Sequence, residues 1–297
     1  MPPPRPATLG VDIGGTKTLA MVVSGDGEVL AQARGATPRS GEVDECLTVV
    51  ERLAAEVTAD RPIAAVGVGF PGLADATTGT VRSSVILQPW REVPLARRLE
   101  DTLGLPCRVD NDVNQAARAE GELRGERDFL FAAVGTGIGA ALVLGGRMVP
   151  GAHGLAGELG HLTIDRDGPP CTCGRRGCLN VFASGRAVEA RLGLDKGALP
   201  AAVAAGEPDA LAAVDEAAVA LGEGLANVAN LLDLPLLVVG GGLGGTSTRY
   251  LERVRATLDR EAFDEIAAGT RLEPAQAGYE AGAVGAALHA REALGAG

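Results

Sequence analysis

Two stretches of this chain, TLGVDIGGTKTLAMVV at Thr8–Val23 and FLFAAVGTGIGAALVL at Phe129–Leu144, share one layout. Each is an apolar run of strand length, a tight turn of glycine and threonine, and a second apolar run. Glycine turns follow both: Gly25-Asp26-Gly27, leading to a third strand at Glu28–Arg34, and Gly145-Gly146. Apolar runs bounded by glycine in this way read as hairpin strands. The recurrence reads as an internal duplication. Neither turn is the G-x4-G-K-[ST] phosphate loop, and the G-x-G-x-x-G dinucleotide fingerprint is missing too. In the first turn, backbone N–H groups and the Thr16 hydroxyl can face phosphate oxygens, with Asp12 placed to hold Mg2+ or its waters. Alone, it is equally readable as a plain glycine hairpin with an end-of-strand aspartate. Two equivalent turns in one chain argue for a polyphosphate clamped from both sides.

Helices and further strands surround these hairpins. Glu42–Ala59 has helical periodicity, with Val43, Leu47, Val50, Leu53 and Val57 on one face. Ile63–Phe70 reads as a buried strand ending in the Pro71-Gly72 turn, and Pro94 starts a helix that runs to Gly104. Cys107–Asp110 is a short strand that delivers Asn111 and Asp112, followed by a helix over Asn114–Glu120. Ligand sites of open α/β sheets lie at the carboxyl ends of strands, so this placement matters. Asp112 is a candidate general base for a hydroxyl and Asn111 a ligand for its neighbour. The alternative is that Asp112 only caps the helix. Further on, Ser184 caps a helix through Arg191, and a long Ala/Leu helix spans Pro208–Leu232. Leu234–Val239 is a strand ending in Gly240-Gly241-Gly242, a backbone that lets something flat approach. The last helix covers Ala281–Leu294 with small residues on one face, and Met1–Ala7 reads as a loose tail.

A third stretch, GELGHLTIDRDGPPCTCGRRGCLN at Gly157–Asn180, carries three of the five cysteines. Cys171, Cys173 and Cys178 are spaced C-x-C-x4-C, and Gly174 and Gly177 let the loop turn around an ion. A closed structural zinc site takes four nitrogen or sulfur ligands, and His161 best supplies the fourth. A disulfide suits this spacing poorly, because adjacent C-x-C pairs are strained and three is odd. A reduced loop without metal is the remaining alternative. Cys46 and Cys107 read as buried small hydrophobes. Free thiols beside a zinc site point to a reducing cytoplasm.

Composition narrows the classes. The 297 residues allow one large or two medium domains, and 46% hydrophobic content is ample for a core. Aromatics are only 3% against 43 glycines, which suits tightly packed helices and many turns. A net charge of −11 argues against nucleic acid as a partner. The N-terminus has no apolar signal region, and no apolar run reaches the length of a membrane span.

With these pieces placed, the chain resembles the ROK family (repressors, open reading frames and sugar kinases) along nearly its whole length. The matching motifs are DIGGTK at 12–17, NDVNQAARAE at 111–120, GTGIGA at 135–140, GELGH at 157–161, CTCGRRGC at 171–178 and VVGGGL at 238–243. The resemblance implies an α/β, actin/hexokinase-like fold, two ribonuclease-H-like domains with a cleft between them. The expected division is 1–110 plus about 281–297, and 111–280 with the zinc loop at 161–178. It also implies ATP- and Mg2+-dependent phosphorylation of a hexose, usually at the 6-hydroxyl, or action as a sugar-responsive repressor. Family repressors carry an N-terminal helix-turn-helix, and a first strand within about ten residues of Met1 leaves no room for one.

Carried over by position, Asp112 is the catalytic base, and Gly72, Asn111, Glu158, His161 and Asn180 lie at the sugar. Gly14, Gly15, Thr16 and Lys17, with Gly135, Thr136 and Gly137, hold phosphates, beside Asp12 at the metal. Gly240, Gly241 and Gly242 lie under adenosine, and His161, Cys171, Cys173 and Cys178 bind zinc. Homodimers are common in the family, and one stays an open expectation here. Two departures stand out. Family kinases usually carry Glu where this chain has Asn180, and often Asn before the tryptophan, in the stretch occupied here by Ser84–Gln88. The expectation is an active kinase whose sugar departs from plain glucose, with amino sugars such as kanosamine among the candidates.

Overall fold

The computed structural model describes residues 6–244 and 248–294. Most of the expected tail, Met1–Arg5, lies outside the described residues. The chain divides into two compact units: residues 1–125, 150–155 and 276–297, and residues 126–149 and 156–275.

The first unit is built on β1 (Thr8–Ile13), β2 (Lys17–Val23), β3 (Val29–Ala36), β4 (Val66–Phe70) and β8 (Cys107–Asn111), in the order β3-β2-β1-β4-β8. β1 to β3 form an antiparallel meander, while β4 and β8 add in parallel to β1. Alternation along the strands sends side chains to two faces. Leu9, Val11, Ile13, Ala20 and Val22 pack with α1 (Val43–Thr58) and α2 (Leu95–Leu103). Leu19, Met21 and Val23 pack with Ala283 and Ala287 of the C-terminal helix α11 (Ala281–Arg291). α11 lies almost on the backbone of the sheet. A Cβ on Gly10 would fall 1.9 Å from the Ala283 carbonyl oxygen, and one on Gly67 1.8 Å from that of Ala286. Glycine in the strands and alanine in the helix therefore set this approach.

Pro94 and Gly104 bound α2 as expected, with Gly104 left-handed at φ 66°. Not anticipated was a small sheet of β5 (Leu73–Asp75), β6 (Thr80–Ser83) and β7 (Arg91–Val93). These strands are three or four residues long, too short to announce themselves by period. The division also falls later than the expected Asp110. α3 (Asp112–Arg124) belongs to the first unit because it packs along α11, where Gly285 leaves room for the Gln115 carbonyl.

The second unit repeats the plan. β9 (Phe129–Val134), β10 (Ile138–Leu144), β11 (Arg147–Met148), β12 (Leu236–Gly240) and β13 (Arg271–Pro274) run in the order β11-β10-β9-β12-β13. The first three are again an antiparallel meander, and the last two are again parallel to β9. The duplication read from the two hairpins is thus present at the level of whole sheets, and both have the ribonuclease-H-like order. The core of this unit packs the sheet against α4 (Asn180–Ala183), α5 (Gly185–Leu192), α6 (Leu199–Ala204), α7 (Pro208–Leu232), α9 (Thr248–Glu261) and α10 (Asp264–Gly269). A four-residue helix, α8 (Gly241–Gly244), follows β12 directly. No helix among the described residues is long and apolar enough to cross a membrane.

Candidate functional site

In the first unit, three parallel strand ends carry the polar groups. Asp12, near the end of β1, lies beside Gly69 of β4, which in turn pairs Asp110 of β8. Asn111 and Asp112 come next, where β8 becomes α3. Gly69 lies between the Asp12 carboxylate and the Asp112 backbone: a Cβ there would sit 3.4 Å from Asp12 Oδ1 and 3.6 Å from the Asp112 Cα. Burial pushes the Asp12 carboxyl up to about 7, with the Asp112 charge adding to it. Burial also pushes Asp112 up to about 6, against backbone N–H groups and Asn111 that pull it down. Two desolvated carboxylates near one another are poorly neutralised as they stand, which is what a site for a cation or a proton looks like.

The cap of α3 is Asn111. Its Oδ1 accepts from the Val113 N–H at 2.8 Å, and its Nδ2 donates to the Gly72 carbonyl at 3.0 Å. Asp112 Oδ1 accepts from the same Val113 N–H at 2.9 Å. Asn111 fills the capping position, and Asp112 is the first residue of the helix. Gly72 contributes a backbone carbonyl that orients Asn111.

Below these residues lies a buried polar network that the sequence did not announce. Asp110 accepts from the Asn111 N–H at 2.8 Å and from Asn114 Nδ2 at 2.7 Å, and pairs with Arg118 at 3.0 Å. Arg118 donates to Gln115 Oε1, and Gln115 Nε2 reaches the Val68 carbonyl at 3.0 Å and His289 Nδ1 at 3.1 Å. Burial, then Arg118 and Arg108, push His289 down to about 3, so its neutral Nδ1 accepts from the amide. The network holds the start of α3 to β4 and α11.

The Gly14–Lys17 turn is closed by Gly14 N–H to the Lys17 carbonyl at 2.8 Å, and Gly15, Thr16 and Lys17 are exposed. Thr37, just past β3, braces it: its hydroxyl donates to the Gly14 carbonyl at 2.8 Å, and its N–H to the Thr16 carbonyl at 3.0 Å. A threonine this far along the chain gives no local signal of that role.

In the second unit, the Gly135–Gly137 turn closes in the same way, Gly135 N–H to the Gly137 carbonyl at 2.9 Å. The Gly185 N–H, at the start of α5, donates to the Gly135 carbonyl at 2.8 Å. Gly241, at φ 85°, packs on Val134: a Cβ would fall 2.5 Å from its carbonyl oxygen. The glycine run after β12 and the Gly/Thr turn after β9 are therefore neighbours.

Glu158 precedes a single turn of 3-10 helix, Leu159–His161, that His161 ends, with His161 Nε2 3.9 Å from Glu158 Oε2. The other ring nitrogen, Nδ1, lies 3.6 Å from Cys171 Sγ, and Cys173 Sγ lies 3.6 Å from Cys178 Sγ. Ligand atoms of all four residues lie within 4.8 Å of one another. Zn–S bonds of about 2.3 Å in a tetrahedron place sulfurs roughly 3.8 Å apart, so the set fits that ion. Burial and the two neighbouring thiols push Cys178 up to about 12, a crowding that a central cation would relieve. The loop needs Gly177 at φ 66°, where a side chain would run into the Asp165 carbonyl at 1.4 Å.

Asn180 is committed in a way its sequence position does not reveal. Its Oδ1 accepts from the Ile138 N–H at 2.7 Å, next to the Gly/Thr turn, and its Nδ2 lies 2.4 Å from where a Gly160 Cβ would be. One amide thus ties the 135–138 turn to the 158–161 turn.

Comparisons with known proteins agree with this arrangement. A sequence profile described as the ROK family matches residues 8–293. The chain is 34% identical to a glucokinase of Streptomyces coelicolor, covering 96% of this chain and 98% of that one. It is 36% identical to an N-acetylmannosamine kinase of Citrobacter koseri, covering 96% and 99%. Among solved structures, the ROK family glucokinase of Streptomyces griseus in complex with glucose and AMPPNP superposes with a TM-score of 0.83 at 32% identity, covering 96% and 99%.

Proposed function

We propose, from the premise that this chain belongs to the ROK family, that it is an ATP-dependent hexose kinase acting at a primary hydroxyl, the 6-position. The observation that carries the reading is the pair of desolvated carboxylates at the ends of β1 and β8, the two strands that flank β4, with Asp12 at about 7 and Asp112 at about 6. Phosphoryl transfer asks for positioning and charge neutralisation more than for covalent chemistry. Asp112 accepts the hydroxyl proton as that oxygen attacks the terminal phosphorus of ATP and ADP leaves. A carboxylate tuned towards neutral pH is well matched to this task. Asn111, Glu158 and the free side of His161 bind sugar hydroxyls. Gly14–Lys17 and Gly135–Gly137 receive phosphate oxygens, and Gly240–Gly242 lies under adenosine. Asp12 holds Mg2+ or its waters, and the ion supplies neutralisation of phosphate charge.

His161, Cys171, Cys173 and Cys178 hold a structural zinc. Nδ1 faces the sulfurs and Nε2 faces Glu158, so a metal on Nδ1 stiffens the ring without touching its other edge. A reducing, cytoplasmic setting fits these thiols. An amino-sugar kinase is the second reading. It is favoured by the similarity to an N-acetylmannosamine kinase; Asn180, being neutral, gives no charge-based preference for an amine.

A panel of hexoses and amino sugars with ATP and Mg2+, read as ADP release, tests the proposal; no turnover with any of them refutes it. Asp112→Asn should lower kcat by about a thousandfold or more, within the range for a lost general base acting together with its positioning, while sugar affinity stays within a few-fold. Unchanged turnover would remove Asp112 from its role.

A further inference from the structure

The structure assigns to Ile86 a part in choosing the sugar, an inference that rests on the kinase reading above and concerns which hexose it takes. The loop Ser84–Trp90 is held at both ends. Ser84 Oγ donates to the Pro71 carbonyl at 2.7 Å and accepts from the N–H groups of Ile86 at 3.1 Å and Leu87 at 3.0 Å. Leu87 and Trp90 are buried, and the Trp90 ring sits 4.5 Å from that of Phe70 while its Nε1–H donates to the Gly41 carbonyl at 2.9 Å. Gln88 Nε2 closes the tip on the Val85 carbonyl at 2.9 Å. The direction in which Ile86 points is therefore set by the loop.

What it meets is the turn that follows Asp12. Ile86 Cγ2 covers Gly15, where a Cβ would fall only 2.5 Å away. Through Ser84 the loop grips Pro71, and the next residue, Gly72, carries Asn111 on its carbonyl. One short path thus joins Ile86 to Asn111 and Asp112, and direct contact joins it to the turn that follows Asp12. Yet the side chain is 51% exposed, so it is not spent on the core. A half-open isoleucine held over the exposed Gly15–Lys17 turn forms an apolar wall there. A sugar hydroxyl driven against it would lose water and gain no partner, whereas a C–H or methyl edge would be accommodated.

The substrate class follows: a hexose whose edge facing Ile86 carries no free hydroxyl, being deoxy or apolar-substituted there. Hydroxyl-for-hydrogen discrimination of this kind is worth about five- to a hundredfold. The test takes the hexose turned over fastest in the panel and its 2-, 3- and 4-deoxy derivatives. It compares kcat/KM for the wild type, Ile86→Ala and Ile86→Asn, with thermal melts alongside. At one ring position the wild type should use the deoxy sugar at least as well as its hydroxylated partner. Ile86→Asn should reverse that ratio by about tenfold or more, leaving the other positions and the melting temperature unmoved. Preference for the hydroxyl at every position in the wild type, or ratios unmoved within about twofold in Ile86→Asn, would overturn the assignment while leaving the kinase reading intact. Absence of turnover with every hexose would overturn both.

Discussion

Replacing Asp12 with Asn should stabilise the ligand-free, metal-free protein near neutral pH. The carboxyl stands at about 7, against its ordinary 3.8, chiefly because it is desolvated near the end of β1 and secondarily because Asp112 is near. A folded-state pKa above the unfolded value means that the folded chain holds the proton more tightly. Stability from this group is then fully present below about pH 4 and is lost as pH rises towards 7. A tenfold change in proton affinity corresponds to about 1.4 kcal/mol, so the full displacement sets a ceiling of about 4 kcal/mol. Part of that displacement is shared with Asp112, and the side chain keeps some access to water. About 1–2 kcal/mol is the expected net effect, or roughly 2–6 °C in melting temperature for a chain of this size. The assay is thermal unfolding of wild type and Asp12→Asn in chelator at pH 4, 5, 6, 7 and 8. The wild type should lose stability between pH 4 and 7, and the variant should lose less and melt higher at pH 8. Mg2+ with a non-hydrolysable nucleotide should then stabilise the wild type more than the variant, because the penalised charge is the one a cation neutralises. Equal pH slopes in the two proteins would show that Asp12 is not held protonated by its surroundings.

Other perturbations probe separate parts of the molecule. Cys178→Ser should reduce bound zinc from about one per chain to near zero by elemental analysis and lower the melting temperature by several degrees, since metal binding adds to folding free energy; full zinc content in the variant would dissolve the four-ligand assignment. Asn180→Ala leaves the Ile138 N–H without its acceptor, a cost of about 1–3 kcal/mol, and should weaken nucleotide binding by calorimetry more than sugar binding. The reverse ranking would mean that Asn180 acts mainly on the sugar. Gly67→Ala would drive a methyl into the Ala286 carbonyl at 1.8 Å and should cost about 3 kcal/mol or more; a soluble variant melting like wild type would contradict the close seating of α11.

Much was legible before any coordinates, because the informative features are local. Apolar runs with glycine turns declared both hairpins, Pro94 and Gly104 bracketed α2, and the cysteine spacing pointed to the loop in which three thiols and His161 come together. The candidate base was visible as a carboxylate at a strand end, though not that its neighbour Asn111 would fill the capping position. Elements of three or four residues, such as β5, β6 and β7, carry too little period to be seen.

Residue order was thus enough to show two duplicated hairpins, two Gly/Thr turns, a strand-end aspartate and a close-spaced set of cysteines, each of them written within a short span of chain. The long-range partnerships were chosen only by packing of the folded molecule. It set Thr37 against Gly14, His289 against Gln115, Asn180 against Ile138 and Ile86 against Gly15. The cause is that the partner of a hydrogen bond or an apolar contact depends on where two distant backbones come together. In this chain those meetings depend on glycines such as Gly10, Gly67 and Gly285, whose missing side chains declare a close approach but not to what.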